Sequence, residues 1–472
     1  FYLKGEAEIY DMFDYFPKHV VKTAIDNTQK LADKVENYSI TYEHYNYPTF
    51  GHIDESYDKL KELALAGFKT RFKDQDIDKD LYLERINHEL SAIKKIGFVD
   101  YFLILEDLMT WAKNNDIWTG YGRGSCGGSL VMYCLGITHV DPIKYNLLFS
   151  RFIDESRISA PDADLDVDDG DRDKVIAYLS HKYGKNRVGY ISTFGEFKAR
   201  VVFKAVASIL ELDFNIANTI SAKMSPELSL KENFEQPELK DLLDKPKIKK
   251  IYDTALKLEG GINNTGLHAC GQIISNKPFD EIIPCISCND GKDGRITASS
   301  FEMKEVDGDL KMLKLDVLGL RNLGVLKEAT KLIQERYNKT LDFKSFDFAD
   351  DDTYIELSKG NSCGVFQFES QLMQRLLKSV KPKCLEDLAI VTSIGRPASL
   401  QSGLTESYLK RRNGEEPVEF LLPELEPLMQ DTLGIYGIYQ ESLMQVCKYY
   451  AGFTDSEADQ ARKICGKKLK DK

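Results

Sequence analysis

The chain has 472 residues, enough for roughly two to four domains with cores of their own. Its apolar fraction of 42% and charged fraction of 29% are those of an ordinary globular protein, and no run of about 18 apolar residues offers a membrane span. A net charge of −12 excludes attraction to polyanions by bulk charge, so any nucleic-acid contact must use local basic surface.

The nine cysteines follow no framework spacing, which fits reduced thiols in a cytoplasm. The opening FYLKGEAEIY has neither an initiator Met nor an apolar core. No signal peptide is expected, and the chain is expected to begin inside a longer gene product.

Residues 1–45 read as helices with Tyr and Phe anchors, and YEHYNYPTFGH as a linker. Over 81–96, Leu83, Ile86, Leu90 and Ile93 recur at three- and four-residue steps, and Gly97 stops the helix they predict. A second helix is predicted over about 101–115. DIWTGYGRGS reads as a short strand with a Gly-rich turn, and SLVMYCLG as a buried helix ended by Gly136. Strands are predicted at 161–168 and in RVGYISTF, with the helix DKVIAYLSHKYGKN between them. Residues 200–260 read as helical and charged. Further strands are predicted at 268–276 and 310–318, and mainly helix from 322 onward. The expected fold is a mixed α/β core interrupted by a helical insertion, followed by an α-rich domain.

The turn Gly122-Arg123-Gly124-Ser125-Cys126-Gly127 satisfies G-x-G-x-x-G. A dinucleotide site needs a second parallel strand and an acidic residue about 20 positions on; Asp141 falls too early, and DPIKYNLLFSRF does not read as that strand. A P-loop needs Lys after Gly127, where this chain has Gly128. What remains is a glycine turn before a helix, where free N–H groups, Arg123 and the Ser125 hydroxyl could hold a phosphate. A tight turn packing small residues between helix and sheet fits equally well.

PDADLDVDDGD carries the strongest signal. In a strand Asp162, Asp164, Asp166 and Asp168 share one face, and Ala163, Leu165 and Val167 the other. Four carboxylates in register repel one another unless cations neutralise them. A calcium loop starting at Asp164 fails, because position 6 is Asp169 and position 12 is Val175. Mg²⁺ shared with substrate phosphates fits better. In KMLKLDVLGL, Leu313, Leu315 and Val317 face one way, and Lys314 and Asp316 the other. Asp316 is a candidate third ligand, with a salt bridge to Lys314 as the alternative. Cys285-x-x-Cys288 with His268 and Cys270 upstream fits no standard zinc spacing, so ordinary thiols and a core histidine are expected. His139 reads as a turn residue.

GRGSCGGSLVMYCLGIT, DPIKYNLLFSRF, PDADLDVD, ISTFGEFKAR, HACGQIIS, LKLDVLGLRNL, GVFQFES, YGIYQESLMQV and ADQARKICGKK stand in the order seen in bacterial replicative DNA polymerase III alpha subunits. The chain resembles that family, the DnaE type of family C DNA polymerase, along its whole length, as a divergent, phage-like fragment. The resemblance implies a polymerase-beta-like nucleotidyltransferase palm, a mixed sheet with helices, with a helical thumb insertion and mainly helical fingers. The implied domains are the end of a PHP domain (1–34), palm (35–195 and 272–322), thumb (196–271) and truncated fingers (323–472). The rest of the PHP domain, the end of the fingers, the helix-hairpin-helix and clamp-binding regions and the OB domain are expected to lie outside this chain.

The implied activity is templated DNA synthesis from dNTPs with two Mg²⁺ ions, with primer-template DNA, a sliding clamp and replisome subunits as partners, in the cytoplasm and away from any membrane. The family's Asp-x-Asp pair is placed on Asp164 and Asp166 and its third aspartate on Asp316. Arg123, Gly124, Ser125, Lys314, Lys378, Arg396, Arg462, Lys463 and Lys467 are placed against nucleotide or phosphate. The basic run after STFGEF, Lys198, Arg200 and Lys204, is placed against DNA. Departures are Ala163, where an aromatic residue is usual between the first two motif aspartates, Val167 for Phe, Cys126-Gly127 in the loop, and Arg396-Pro397-Ala398-Ser399 for Arg-Pro-Gly-Pro. A non-templated nucleotidyltransferase and a catalytically incomplete fragment are the alternatives.

Overall fold

The structure is a computed structural model that describes residues 4–36, 47–153, 161–289, 295–341, 343, 346, 348–420 and 422–466. The chain divides into two compact units, Phe1–Tyr45 and Asn46–Lys472. The first holds α1 (Glu6–Met12) and α2 (Lys18–Ala32). Glu8 accepts from the Gly5 N–H at 2.8 Å to close the start of α1, and Pro17 precedes α2, where a missing N–H costs nothing.

The second unit opens with α3 (Ile53–Arg71), α4 (Lys79–Ile96) and α5 (Val99–Asn114). Asp78 caps α4 through the Leu81 N–H, and Gly97 ends it in the left-handed conformation, as its sequence predicts. α5 buries Val99 through Leu105 without interruption, so it is a core helix rather than an amphipathic surface one. The short α6 (Leu130–Cys134) lies against α3 and α4.

A six-stranded mixed sheet follows. It comprises β1 (Asp164–Asp168), β2 (Val188–Glu196), β3 (Ile262–Ile274), β4 (Cys285–Asn289), β5 (Arg295–Ser299) and β6 (Leu313–Leu320), in the spatial order β1-β6-β3-β2-β5-β4. β1 and β6 run parallel with Asp164 opposite Asp316. β3 is antiparallel to both β6 and β2. The helix α7 (Arg172–Tyr183) connects β1 to β2. Leu313, Leu315 and Val317 are fully buried on one side of β6, as alternation predicts. β4 and β5 are short and were not expected. The short strand and turn predicted in DIWTGYGRGS make only isolated bridges: Thr119 meets Val167 and Arg123 meets Asp164.

The helical insertion between β2 and β3 is real. It comprises α8 (Ala199–Ile209), α9 (Phe214–Lys223), α10 (Leu230–Glu235), α11 (Pro237–Lys240) and α12 (Pro246–Leu256). Val202, Phe203, Ile220, Phe234 and Ile251 give it a core of its own. α13 (Phe279–Ile282) and α14 (Met303–Asp307) flank β4 and β5. The remainder is helical: α15 (Arg321–Tyr337), α16 (Asp351–Ser358), α17 (Gln371–Val380), α18 (Leu385–Ile394), α19 (Pro397–Gln401), α20 (Leu404–Arg412), α21 (Glu426–Met429), α22 (Gln440–Ala451) and α23 (Asp455–Gly466). A second core around Leu377, Val391, Ile394 and Tyr408 holds α16, α17, α18 and α20 together. No helix among the described residues is long and apolar enough to cross a membrane.

Candidate active site

Strand register decides which aspartates meet. Asp164 and Asp316 sit opposite each other on parallel neighbours, and Asp162 precedes β1 by two residues on the same face. Carboxylate oxygens of Asp162, Asp164 and Asp316 all lie within 4.8 Å of one another, the one such metal-capable group among the described residues. Asp166, expected as the second carboxylate of the pair, is outside this trio, and Asp162 is inside it. Asp168 lies outside this cluster: it is 9% exposed and accepts from the Gly170 N–H at 3.1 Å, bracing the turn into α7.

Asp316 is buried beside Lys314, whose Nζ lies 2.7 Å from its Oδ2 and 3.3 Å from Asp162 Oδ1. The salt bridge and the carboxylate cluster therefore coexist. Asp316 Oδ1 is buried and has no hydrogen-bond partner among the described residues. An unmatched carboxylate oxygen is costly, and a cation is the group that satisfies it.

Residues 118–123 run antiparallel along the free side of β1. Trp118 O accepts from the Asp168 N–H, the Gly120 N–H donates to Asp166 O at 2.9 Å, and Arg123 bridges to Asp164. This track brings Arg123 Nε within 3.4 Å of Asp166 and 3.7 Å of Asp164. The Cys126 thiol donates to Arg123 O at 3.1 Å and so pins the loop from beneath. Gly124 has φ 74° and ψ −157°, a conformation open essentially to glycine alone. Gly124→Ala is expected to cost about 1–3 kcal/mol and to displace Arg123 from Asp164; the same unfolding midpoint as wild type would refute this.

The helix start expected to hold phosphate is already occupied. Glu89, fully buried on α4, accepts from Ser129 Oγ at 2.8 Å and from the Leu130 and Val131 N–H groups at 3.0 Å each. Arg85 Nε closes the ring at 2.7 Å, and its Nη2 donates to Gly128 O at 2.9 Å and Leu147 O. Burial raises the Glu89 pKa, opposed by Arg85 and by the bonds from Val131, Leu130 and Ser129. All four neighbours donate, so the ionised carboxylate is the form that fits. The free part of the loop is thus Arg123, Gly124 and the turn that begins at Ser125.

Burial raises the pKa of Asp164, opposed by Arg123 and reinforced by Asp162 and Asp316. Asp166 is raised by burial too, again opposed by Arg123 and reinforced by Asp164. Burial pulls Lys314 down, but its hydrogen bond to Asp316 and the charges of Asp162 and Asp316 outweigh this and leave it raised. The Cys126 thiol is pushed up to about 11 by burial and by Asp164, so it stays protonated.

Other expected site residues lie elsewhere. Arg200 donates through Nε to Met224 O at 2.8 Å, closing the end of α9. Lys198 and Lys204 are exposed, one at the start of α8 and one within it. Lys378 is exposed on α17 and its stem crosses Gly360; Arg396 is exposed at the start of α19. Arg462 and Lys463 both pair with the buried Asp459 on their own helix, and Arg462 also donates to Gln440 of α22 at 3.1 Å. Lys467 lies outside the described residues. Cys285 and Cys288, three apart on β4, point to opposite faces, and the Cys285 thiol donates to Ile283 O. His268, expected as a core histidine, is instead partly exposed, on the strand that pairs with the Asp316 strand. His139 meets Arg71 Nη2 at 3.1 Å.

The family model "Bacterial DNA polymerase III alpha NTPase domain" matches residues 58–319, and "Bacterial DNA polymerase III alpha subunit finger domain" matches 322–472. Among curated relatives, the DNA polymerase III subunit alpha of Aquifex aeolicus is 38% identical over 97% of this chain and 41% of its own length. That of Pseudomonas aeruginosa is 37% identical over 99% of the chain and 41% of the relative, and that of Bacillus subtilis 37% identical over 88% and 36%. The chain thus spans about two fifths of the length of these relatives. With both halves of the chain matched and relatives aligned across almost all of it, the chain belongs to the bacterial DNA polymerase III alpha family.

Proposed function

We propose that this chain carries the polymerising centre of a replicative DNA polymerase, transferring a deoxynucleotidyl group from a dNTP to a primer 3′-hydroxyl under template direction. The observation that carries this reading is the cluster of Asp162, Asp164 and Asp316 with the Arg123 loop beside it. Phosphoryl transfer needs positioning and charge neutralisation more than covalent chemistry from the protein. The site offers hard oxygen donors and an unsatisfied Asp316 Oδ1, which suits Mg²⁺. Bound divalent cations supply a more acidic 3′-hydroxyl and neutralise the triphosphate.

In this reading Asp162, Asp164 and Asp316 hold the cations. Lys314 fixes the orientation of Asp316, and Asp166 anchors Arg123, which turns to the phosphates when nucleotide enters. Ser125 adds a hydroxyl donor. Lys378 and Arg396 face the triphosphate from the fingers, and Lys198 and Lys204 lie along the duplex. Arg200, Arg462 and Lys463 are assigned to packing. The palm is assigned to 35–195 and 272–322, the thumb to 196–271, the fingers to 323–472, and the end of a PHP domain to 1–34. Primer-template DNA is the substrate; a sliding clamp and other replisome subunits are the partners of the whole protein, in the bacterial cytoplasm.

The test is extension of one primer on templates that differ in the next base. Incorporation of the complementary nucleotide alone supports the proposal. Addition regardless of template, or DNA binding without incorporation, overturns it.

The raised carboxylates make a second prediction. A carboxyl group whose pKa is raised on folding stabilises the fold below its unfolded value, and that contribution is lost as pH rises through the folded value. The metal-free protein therefore loses stability just above the ordinary carboxylate range, and Mg²⁺ restores it. At a tenfold excess over its dissociation constant, Mg²⁺ is expected to add about 1.4 kcal/mol near neutral pH. The gain shrinks as pH falls toward the carboxylate range, because protons compete for the same oxygens. Thermal unfolding with and without Mg²⁺ across that range checks it; a gain independent of pH would place the ion elsewhere.

A further inference from the structure

We infer that His268 is a further substrate-contacting residue, whose Nε2–H donates to a phosphate oxygen at the carboxylate cluster. The inference rests on the polymerase reading above. It starts from a break in the sheet. Tyr190 pairs with Gln272 and Ser192 with Leu267, so the four residues 268–271 of β3 face the single Ile191. Bulges of this kind re-aim side chains and gather beside active sites. This one lies next to β6, where Gly271 is the partner of Asp316.

Residues directly opposite on antiparallel strands share a face, so Gly271 presents its Cα hydrogens on the side of Asp316. A Cβ placed there would stand 2.9 Å from Ile191 Cδ1, 3.0 Å from His268 Nδ1 and 3.6 Å from Asp316 Oδ1. The imidazole and the buried Ile191 side chain therefore share the space that a side chain at 271 would fill, on the carboxylate face and beside Asp316. Only glycine leaves that room.

The ring is also fixed. His268 Nδ1 accepts from the Gly271 N–H at 2.8 Å and from the Cys270 N–H at 3.3 Å. A nitrogen that accepts carries no proton, so the neutral ring bears its proton on Nε2, on the far side from the backbone. Arg172 holds the bulge in place: its Nε donates to Val317 O of β6 at 2.8 Å and its Nη2 to Ala269 O at 2.6 Å. His268 is partly exposed, which leaves its ring open to a ligand. Beside a cluster whose substrates carry phosphates, a fixed neutral N–H donor is matched to a phosphate oxygen.

Two phosphates satisfy that chemistry: the last internucleotide phosphate of the primer and the triphosphate of the incoming nucleotide. Affinities of the protein for a dideoxy-terminated primer-template, with and without the next dNTP in Ca²⁺, separate them. His268→Ala is expected to weaken binding about 10- to 100-fold. Weakening already without dNTP assigns the primer phosphate; weakening only with dNTP assigns the triphosphate.

His268→Asn distinguishes contact from scaffolding. Its amide oxygen can accept the same two N–H bonds and keep the bulge, but its donor is shorter. Loss of affinity in H268N with an unchanged unfolding midpoint supports the inference. Wild-type affinity in either H268A or H268N overturns it. Absence of a dNTP-stabilised complex in the wild-type protein would instead overturn the polymerase reading itself.

Discussion

Asp316→Asn is expected to lower primer extension by at least about 10³-fold while leaving primer-template affinity close to wild type. Asn is isosteric, so the strand and its Gly271 and Asp164 neighbours keep their places. What changes is charge: Oδ1 has no hydrogen-bond partner among the described residues, and Oδ2 holds Lys314 at 2.7 Å. An amide at this position turns a donor toward either the ammonium or the cation.

The same experiment sorts the aspartates on β1. Asp162→Asn is expected to match Asp316→Asn. Asp166→Asn is expected to stay within about fivefold of wild type, the scale of one partly exposed ion pair, because Asp166 faces Arg123 at 3.4 Å. An inactive D166N with an active D162N would restore the pair Asp164 and Asp166. Near-normal extension by D316N would sink the metal assignment as a whole.

The face of the acidic strand was legible from alternation, but its register was not. Period two places Asp162, Asp164, Asp166 and Asp168 on one side and cannot rank them. The ranking comes from β6, about 150 residues away, which sets Asp316 opposite Asp164. One local signal pointed to it: the position between the first two motif aspartates was Ala163, which lies between Asp162 and Asp164. α4 and β6 were legible because their apolar spacing is strong and unbroken. β4 and β5, five residues each, carry too little pattern.

Charge by itself did not show which partners lie beside it. Arg462 and Lys463 read as phosphate ligands, yet Asp459 stands three and four residues before them on one helix face, a pairing the sequence did contain. Arg200 could not be foreseen as a cap for Met224 O, because its partner is a backbone carbonyl two dozen residues on. The filled helix start behind the glycine loop was hidden for the same reason as the register. The loop's glycines were visible, but the carboxylate that fills the helix start comes from α4, 40 residues earlier.

That carboxylate yields the largest expected effect on stability. Glu89→Ala is expected to destabilise the protein by about 3–5 kcal/mol, the scale for breaking a buried ion pair from one side. Three donors from Ser129, Leu130 and Val131 lose their acceptor, and Arg85, with its side chain 25% exposed, is left without its charge partner. Glu89→Gln keeps the shape but turns an NH₂ toward donors, and about 1–3 kcal/mol is expected. Replacing both partners, Arg85→Met with Glu89→Met, is expected to cost less than the two single changes together, since no charge is then stranded. Chemical denaturation of the four variants measures each term. If E89A unfolds within about 0.5 kcal/mol of wild type, the buried ring does not hold the loop. If the double variant costs the full sum, Arg85 and Glu89 act on separate elements. The expected non-additivity ties α4 to the start of α6, and through Gly128 to the loop whose Arg123 faces the aspartates.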